Sequence, residues 1–212
     1  MPVTEHITIA LLHEPGLLRA AIGRMISERE DRELVADVAD ASEFKRAFAL
    51  RSPPDMVLLS LHYVAMMPWM ARHMPEAHLV VLGTALSDEE QVALFREGAH
   101  GYCSTACGPE ELHAIIDHVR KGAIHFSPTA WTHLRGLLPA PVVRDASLSK
   151  GQEEFLRLLG KLENPTYEHM AKEMGVGLSM VYKHRNNLCA RFKLKGKSAL
   201  VRFAMAWFAG RA

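Results

Sequence analysis

Short apolar runs and longer amphipathic stretches alternate five times over the first 125 residues, and this alternation restricts the fold more than any other feature. The apolar runs predict strands near 7–12, 33–38, 55–60, 78–83 and 99–103. The intervening stretches predict helices near 15–28, 41–50, 64–74, 86–97 and 109–121. Uninterrupted apolar runs are typical of strands covered by helices on both faces. The sequence therefore predicts an α/β doubly wound domain with a five-stranded parallel sheet over residues 1–123.

A different pattern occupies residues 148–212 and predicts a C-terminal all-α helix-turn-helix domain. One helix near Tyr167 to Met174 is followed by the turn Gly175-Val176-Gly177 and by a second helix over 178–192. The core stripe of this second helix consists of Leu178, Val181, Leu188 and Phe192. Another stripe, here named the donor stripe, carries hydrogen-bond donors and no acid: Ser179, Tyr182, Lys183 and Asn186. The second helix of such a pair can lie in the DNA major groove.

Charge is distributed unevenly along the chain, although the formal net charge is only +1. Residues 146–212 contain 12 Lys plus Arg against 5 Asp plus Glu, a balance of +7, and the remainder contains 13 against 19, a balance of −6. From Lys183 to Arg202 there are seven cations and no carboxylate. A polyanion is the expected partner, and a solvated basic face on a helical bundle is the alternative. Together with the donor stripe, the charge favours double-stranded DNA.

The sequence carries no signal for export or for a membrane span. No apolar run approaches the roughly 20 residues that cross a bilayer. The first residues, MPVTEHITIALLHEPG, lack the basic region and the long apolar core of a secretion signal. Three cysteines form no disulfide framework, which suits a reducing compartment. We therefore expect a cytoplasmic protein without a membrane partner.

Cysteine and histidine spacing gives no pattern of metal ligands. Cys103 and Cys107, four positions apart, leave metal binding and redox sensing as alternatives, but small buried residues at a strand end are the favoured interpretation. We assign these two cysteines no role. The 12 histidines show no HExxH motif and no paired Cys/His spacing. We therefore expect no metal site and no cofactor.

Motifs in both halves resemble the response regulators of the LuxR/NarL type, over nearly the whole length. The segments similar to the third strand, fifth strand and last helix of a receiver domain are PPDMVLLSL at 53–61, REGAHGY at 96–102 and PEELHAII at 109–116. Residues 149–204 are similar to the family's four-helix DNA-binding domain. Its ordered signals are Glu154, Leu158, Leu159, Ala171, Gly175, Val181, the run His184 to Leu188, and Leu200-Val201. The resemblance implies a receiver-like domain, a linker over 124–147 and a helix-turn-helix domain from 148.

The receiver-like part departs from the family at the phosphorylation pocket. The resemblance implies two acids, a phosphoacceptor aspartate, a threonine and a lysine after successive strands. The residues that this chain places there are His13 and Glu14, Ser60, Gly83 followed by Thr84, and Thr105. Acyl-phosphate chemistry needs a carboxylate nucleophile, and Mg²⁺ needs several hard oxygens at short range. We therefore hypothesise a pseudoreceiver that serves dimerisation, ligand sensing or protein-partner binding; the alternative is a working receiver whose alignment is shifted.

Two connecting segments also differ from a regular pattern. The stretch after Ser60, LHYVAMMPWMARHM, is shorter than the family's loop and third helix, so we expect a remodelled pocket edge. Residues 124–147 predict a short amphipathic helix followed by a Pro-rich linker. Trp131, Leu134 and Leu137 share one face of the predicted helix, and Pro139 and Pro141 disfavour its continuation.

Individual roles in DNA binding follow from the donor stripe and its neighbours. Lys183 and Asn186 are expected at base edges or nearby phosphates, and Tyr182 is expected to stack on a sugar or a thymine methyl. Three more residues are expected to position the DNA backbone: Thr166, Arg185 and Lys197. His184 lies between the two stripes, so a buried structural role stays an equal alternative. The last helix offers four residues for core packing or a two-fold interface: Leu200, Val201, Ala204 and Trp207.

These features predict a dimeric transcription regulator that binds DNA and is not switched by phosphorylation. A second class of function is a protein-interaction adaptor whose basic tail makes only weak nonspecific DNA contacts. Enzymatic activity is not expected, because no nucleophile, base and orienting residue occur together in a motif.

Overall fold

The computed structural model describes residues 6–130, 133, 148–161, 166–194 and 196–209. The chain divides into two compact units, Met1–Leu86 with Gly101–Ile115 and Ser87–His100 with Ile116–Ala212. Most of the predicted linker, including Trp131, Leu134 and Leu137, lies outside the described residues. The domain boundaries at 123 and 148 therefore stay predictions.

A five-stranded sheet forms the centre of the first unit. Its strands are β1 (Ile7–Leu12), β2 (Arg32–Val38), β3 (Met56–Ser60), β4 (His78–Gly83) and β5 (Gly101–Ser104). The strand order is β2-β1-β3-β4-β5, and every pair is parallel. The apolar run of β3 is completely buried, as expected for a strand with helices on both faces. The predicted α/β fold is confirmed, and β1 and β3 form the point at which the strand order reverses.

Helices alternate with these strands as the sequence predicts. They are α1 (Leu17–Ser27), α2 (Ala41–Ala47), α3 (Met67–His73), α4 (Asp88–Glu97) and α5 (Pro109–Arg120). Asp40 caps α2 by accepting hydrogen bonds from the amides of Ser42 and Glu43, each at 2.8 Å. Ser87 and Glu90 form a capping box at the start of α4. These local signals explain why the helices begin where they do.

The segment between β3 and α3 is compressed, in keeping with its short sequence. A 3-10 helix, η1 (Leu61–Met66), follows β3 without an intervening loop and continues into α3. The Ser60 hydroxyl caps η1 by accepting a hydrogen bond from the amide of His62 at 3.2 Å. Pro68 lies in the first turn of α3, where the missing amide hydrogen costs no helical hydrogen bond. The predicted helix near 64–74 therefore begins earlier, as a 3-10 helix.

Four helices follow in the C-terminal part of the second unit. They are α6 (Lys150–Lys161), α7 (Tyr167–Met174), α8 (Leu178–Phe192) and α9 (Gly196–Ala209). Gly175 ends α7 with a φ of 63°, a left-handed conformation that glycine adopts without steric cost. Leu200, Val201, Ala204 and Trp207 of α9 are all buried within the single chain, so their role is core packing. The predicted all-α helix-turn-helix region is confirmed.

Within the ranges given above, no helix combines the length and the apolar character that a membrane crossing requires.

Candidate functional site

The helix α8 has two faces with opposite environments. Val181 and Leu188 are completely buried, whereas all four residues of the donor stripe are exposed. The structure therefore brings Ser179, Tyr182, Lys183 and Asn186 together on an open face, as the periodicity predicts. Leu178, which we placed in the core stripe, is instead 37 % exposed because it is the first residue of α8.

Tyr167 and Thr166, at the start of α7, lie close to the donor stripe and make local contacts. The rings of Tyr182 and Tyr167 make an edge-to-face contact, with 5.2 Å between their centroids. Thr166 caps α7, and its hydroxyl oxygen accepts a hydrogen bond from the amide of His169 at 3.1 Å. The hydroxyl hydrogen of Thr166 is not used in this cap. Thr166 and Arg185 are half-buried, so both are less accessible than the four exposed residues of the donor stripe.

His184 packs against helix α6. A Cβ atom at Gly151 would lie 3.1 Å from the imidazole ring, and the ring centroid lies 6.2 Å from that of Phe155. Burial, with the charge of Lys183, lowers the pKa of His184. These contacts favour the structural interpretation of His184, and they explain why a small residue is needed at Gly151.

Lys197 differs from its predicted position on an exposed DNA-binding surface. It is only 3 % exposed, and its Nζ atom lies 4.5 Å from the ring centroid of Tyr167. A Cβ atom at Gly122 would lie 3.4 Å from Nζ. Burial lowers the pKa of Lys197 to about 7, with Glu168 raising it and Arg185 lowering it. In this arrangement Lys197 does not offer an exposed ammonium to a phosphate, because α9 begins against Tyr167 and Gly122.

Arg202, a second cation of the basic run, is half-buried and binds backbone carbonyls. Its Nη1 atom donates to the carbonyl oxygens of Phe95 at 2.8 Å and Arg96 at 3.0 Å, at the C-terminal end of α4. A cation is favourable there because helix carbonyls carry partial negative charge. Burial lowers the pKa of Arg202. The sequence offered no signal that separated Arg202 from the exposed cations Arg191 and Lys193.

A cavity of about 440 Å³ opens at the carboxyl ends of the strands. All five residues predicted for the degenerate phosphorylation pocket line it: His13, Glu14, Ser60, Thr84 and Thr105. The other lining residues are Leu18, Leu61, His62, Leu82 and Gly83. We name this cavity the receiver-like pocket. Strand ends of an open parallel sheet are where ligands of such folds bind, so topology explains the convergence.

Glu14 is the single carboxylate among the residues that line the receiver-like pocket. Its Oε2 atom lies 3.3 Å from Nδ1 of His13, and its Oε1 atom lies 3.9 Å from Nδ1 of His62. Partial burial would raise the pKa of Glu14, but a hydrogen bond with Ser60 and the charges of His13 and His62 outweigh this and lower the pKa. The carboxylate is therefore ionised and already engaged with imidazole groups.

The end of β4 is closely packed against the residue that follows β3. A Cβ atom at Gly83 would lie 3.0 Å from Cβ of Leu61, so a larger residue there would require η1 to move. Thr84, one residue later, is exposed, and its carbonyl oxygen accepts a hydrogen bond from the Tyr102 hydroxyl. The amide of Thr105 donates to the carbonyl of Gly83 at 2.7 Å. The short connection after β3 thus places Leu61 against Gly83 at the end of β4.

The lining residues supply hydroxyl, imidazole and one carboxylate group, which suit hydrogen bonding to a ligand. Ser60 offers a hydroxyl where acyl-phosphate formation needs a carboxylate. One carboxylate is also a poor ligand set for Mg²⁺, which prefers several hard oxygens. In the part of the chain that the structure describes, no three His, Cys, Asp or Glu side chains converge as ligands for a metal ion.

Comparisons with known proteins agree with this architecture. No family model matches the chain. Oxygen regulatory protein NreC of Staphylococcus aureus (strain JH9) is 25 % identical over 215 aligned positions, covering 93 % of this chain and 96 % of that protein.

Two solved structures share the fold. A LuxR-family two-component response regulator from Aurantimonas sp. SI85-9A1 has a TM-score of 0.54 and 23 % identity, over 60 % of this chain and 94 % of the other. A structure of two RcsB dimers bound to two parallel DNAs has a TM-score of 0.53 and 14 % identity, over 95 % of this chain and 98 % of the other.

The end-to-end relative and the two-part fold together confirm the resemblance that the motifs predict. The chain is similar along nearly its whole length to NreC, and over 60 % of its length it shares the fold of a LuxR-family response regulator.

Proposed function

We propose that this protein is a DNA-binding transcription regulator that inserts α8 into the major groove of double-stranded DNA. The observation that carries the proposal is the division of α8 into a buried face and an open donor stripe. Amide, hydroxyl and ammonium groups on that stripe match the acceptors and donors of base edges and the charge of phosphates. The relatives reported above are named as regulators, in keeping with a regulatory and not a catalytic role.

The proposed DNA-bound form is a homodimer on a two-fold operator. The similarity to RcsB, whose dimers are bound to DNA in a solved structure, supports this expectation. Two copies of α8 related by a two-fold axis would read half-sites about one helical turn apart, roughly 34 Å. Since Leu200, Val201, Ala204 and Trp207 of α9 are used in the core, we expect the dimer contact to involve other residues.

Selection of genomic fragments by the purified, unmodified full-length protein tests this function. At about 0.15 M salt, we expect enrichment of a short two-fold motif, because nonspecific phosphate contacts are weakened by salt. Featureless and salt-sensitive binding would contradict a specific regulator. That result would favour the adaptor function, in which the basic tail makes only weak contacts with DNA.

We further propose that the receiver-like pocket does not use phosphate and responds instead to a small ligand or a protein partner. Ser60 in place of a carboxylate, one ionised acid and the close contact of Leu61 with Gly83 support this proposal. The dimensions of the cavity suit a small molecule, and its hydroxyl and imidazole groups provide hydrogen-bonding partners.

Incubation with acetyl phosphate and Mg²⁺ should leave the intact mass of the protein unchanged. The physical reason is that a serine hydroxyl beside one glutamate neither attacks as a carboxylate nor assembles the metal. A typical receiver protein treated in parallel provides the positive control. Addition of one phosphoryl group, abolished by Glu14→Gln, would show that the pocket retains the family chemistry.

A further inference from the structure

A thiol near the end of β5, Cys103, meets a thiol of the turn that follows, Cys107, beside the receiver-like pocket. The Sγ atoms of Cys103 and Cys107 lie 2.9 Å apart. The amide of Cys107 donates to the carbonyl of Ser104 at 3.0 Å, and the amide of Ala106 donates to the Ser104 hydroxyl at 3.2 Å. These hydrogen bonds fold the loop back over the end of β5. This turn brings the sulfur of Cys107 against the sulfur of Cys103. The spacing of the two cysteines in the sequence does not by itself specify such a turn.

The two thiols differ in their access to solvent. Cys103 is 2 % exposed, whereas Cys107 is half-buried. Burial raises the pKa of Cys103 well above its ordinary value, and the hydrogen bond with Cys107 and the charges of Cys107 and Glu111 add to this effect. Cys103 is therefore a poor first nucleophile. An oxidant in solution would reach the sulfur of Cys107 first.

We propose that Cys103 and Cys107 form a reversible intrachain disulfide, with low-molecular-weight disulfides such as glutathione disulfide as the oxidant. To form the bond, the sulfurs need to approach from 2.9 Å to roughly 2.05 Å, which is a small displacement for these two side chains. A metal site is a weaker alternative, because among the described residues no third ligand joins these two thiols.

The reaction is two consecutive thiol–disulfide exchanges. The thiolate of Cys107 attacks one sulfur of glutathione disulfide, forms a mixed disulfide and releases one glutathione thiolate. Cys103 then loses its proton and attacks the Cys107 sulfur, which releases the second glutathione. The two cysteines lose two protons and two electrons in total, and glutathione disulfide is reduced to two molecules of glutathione.

The disulfide would close a short ring around a residue of the receiver-like pocket. Thr105 lies between the two cysteines and lines the cavity, and its amide is bonded to Gly83 at the end of β4. Oxidation would therefore restrict the same loop that carries the lysine in the family's phosphorylation pocket. The site would give this pocket a redox input where the phosphate chemistry is missing.

Mass spectrometry of the full-length protein provides the test, because trypsin should release Glu97–Arg120 with both cysteines and Asn186–Arg191 with Cys189. After treatment with glutathione disulfide, acid quenching and alkylation under denaturing conditions, we expect most of peptide 97–120 to lack two hydrogens and to carry no alkyl group. After reduction with dithiothreitol, the same peptide should carry two alkyl groups. Cys189 serves as the internal control because its peptide contains no second cysteine.

Two serine variants determine the order of attack. In Cys103→Ser, a mixed disulfide with glutathione should accumulate on Cys107, since no resolving thiol is present. In Cys107→Ser, the buried Cys103 should remain reduced, and circular dichroism verifies that both variants are folded. Two alkyl groups on peptide 97–120 after oxidation of the wild-type protein would overturn the proposal. Equal glutathione uptake by the two variants would overturn the assigned order. None of these readouts depends on DNA binding.

Discussion

Lys183→Ala is expected to weaken binding to the selected operator by about 1–3 kcal/mol, which corresponds to a loss of affinity between roughly fivefold and 150-fold. Lys183 is exposed in the centre of the donor stripe, so its ammonium is free of the core packing that surrounds Val181 and Leu188. A base contact and a phosphate contact predict different results. Loss of a phosphate contact weakens binding to all sequences and lowers the salt slope by about 1, whereas loss of a base contact relaxes the sequence preference.

The matched control for this variant is Arg46→Ala, which also removes one exposed cation. Arg46 lies on α2 in the first unit, outside the helix-turn-helix region. Fluorescence anisotropy with a labelled operator, measured at several salt concentrations, gives the affinity and the salt slope for both variants. Equal losses in Lys183→Ala and Arg46→Ala would mean that net charge, and not the donor stripe, controls binding.

Lys197→Met is expected to stabilise the folded protein near neutral pH and to remove a pH dependence of stability. The pKa of Lys197 is about 7 in the folded chain, below the roughly 10.4 of an exposed lysine. Between these values the unfolded chain binds the additional proton, so the free energy of unfolding of the wild-type protein rises with pH. The slope approaches roughly 1.4 kcal/mol per pH unit in this interval and vanishes below about pH 7, where both states are protonated.

Urea denaturation between pH 6 and pH 9.5 measures this difference. Subtracting the curve of Lys197→Met from that of the wild-type protein removes the titration of all other groups, and Lys172→Met provides a control at an exposed lysine on α7. We expect the advantage of Lys197→Met to be about 2 kcal/mol or more at pH 7 and to shrink as the pH rises. Parallel curves for the two proteins would show that Lys197 is solvated, and its predicted phosphate contact would then regain support.

The alternating pattern of the first 125 residues was sufficient to predict every strand of the sheet within two residues. Parallel strands covered on both faces need continuous apolar runs, and the helices between them need a 3.6-residue periodicity, so both leave a direct record in sequence. The pocket residues His13, Glu14, Ser60, Thr84 and Thr105 could also be named. They were identified from the resemblance to receiver domains, and the sheet topology, which brings strand ends to one edge, explains why they converge.

The chemistry of the exposed stripe on α8 was also encoded locally, because a helix of 15 residues sorts its side chains by periodicity alone. Periodicity did not predict which cations of the basic run stay accessible. Lys197 is enclosed by Tyr167 and Gly122, and Arg202 binds carbonyls at the end of α4. The partners of Lys197 lie 30 or more positions away in the sequence, and those of Arg202 lie more than 100 positions away.

The sequence by itself determined the order of strands and helices, the residue types at the pocket and the two faces of α8. Only the tertiary structure decided that Leu61 packs against Gly83, that Lys197 is buried, that Arg202 binds helix carbonyls and that the sulfurs of Cys103 and Cys107 meet. The physical reason is that periodicity and turn signals act over a few neighbouring residues. Burial, pKa and thiol proximity depend on which distant or turned-back segments fill the space around a side chain.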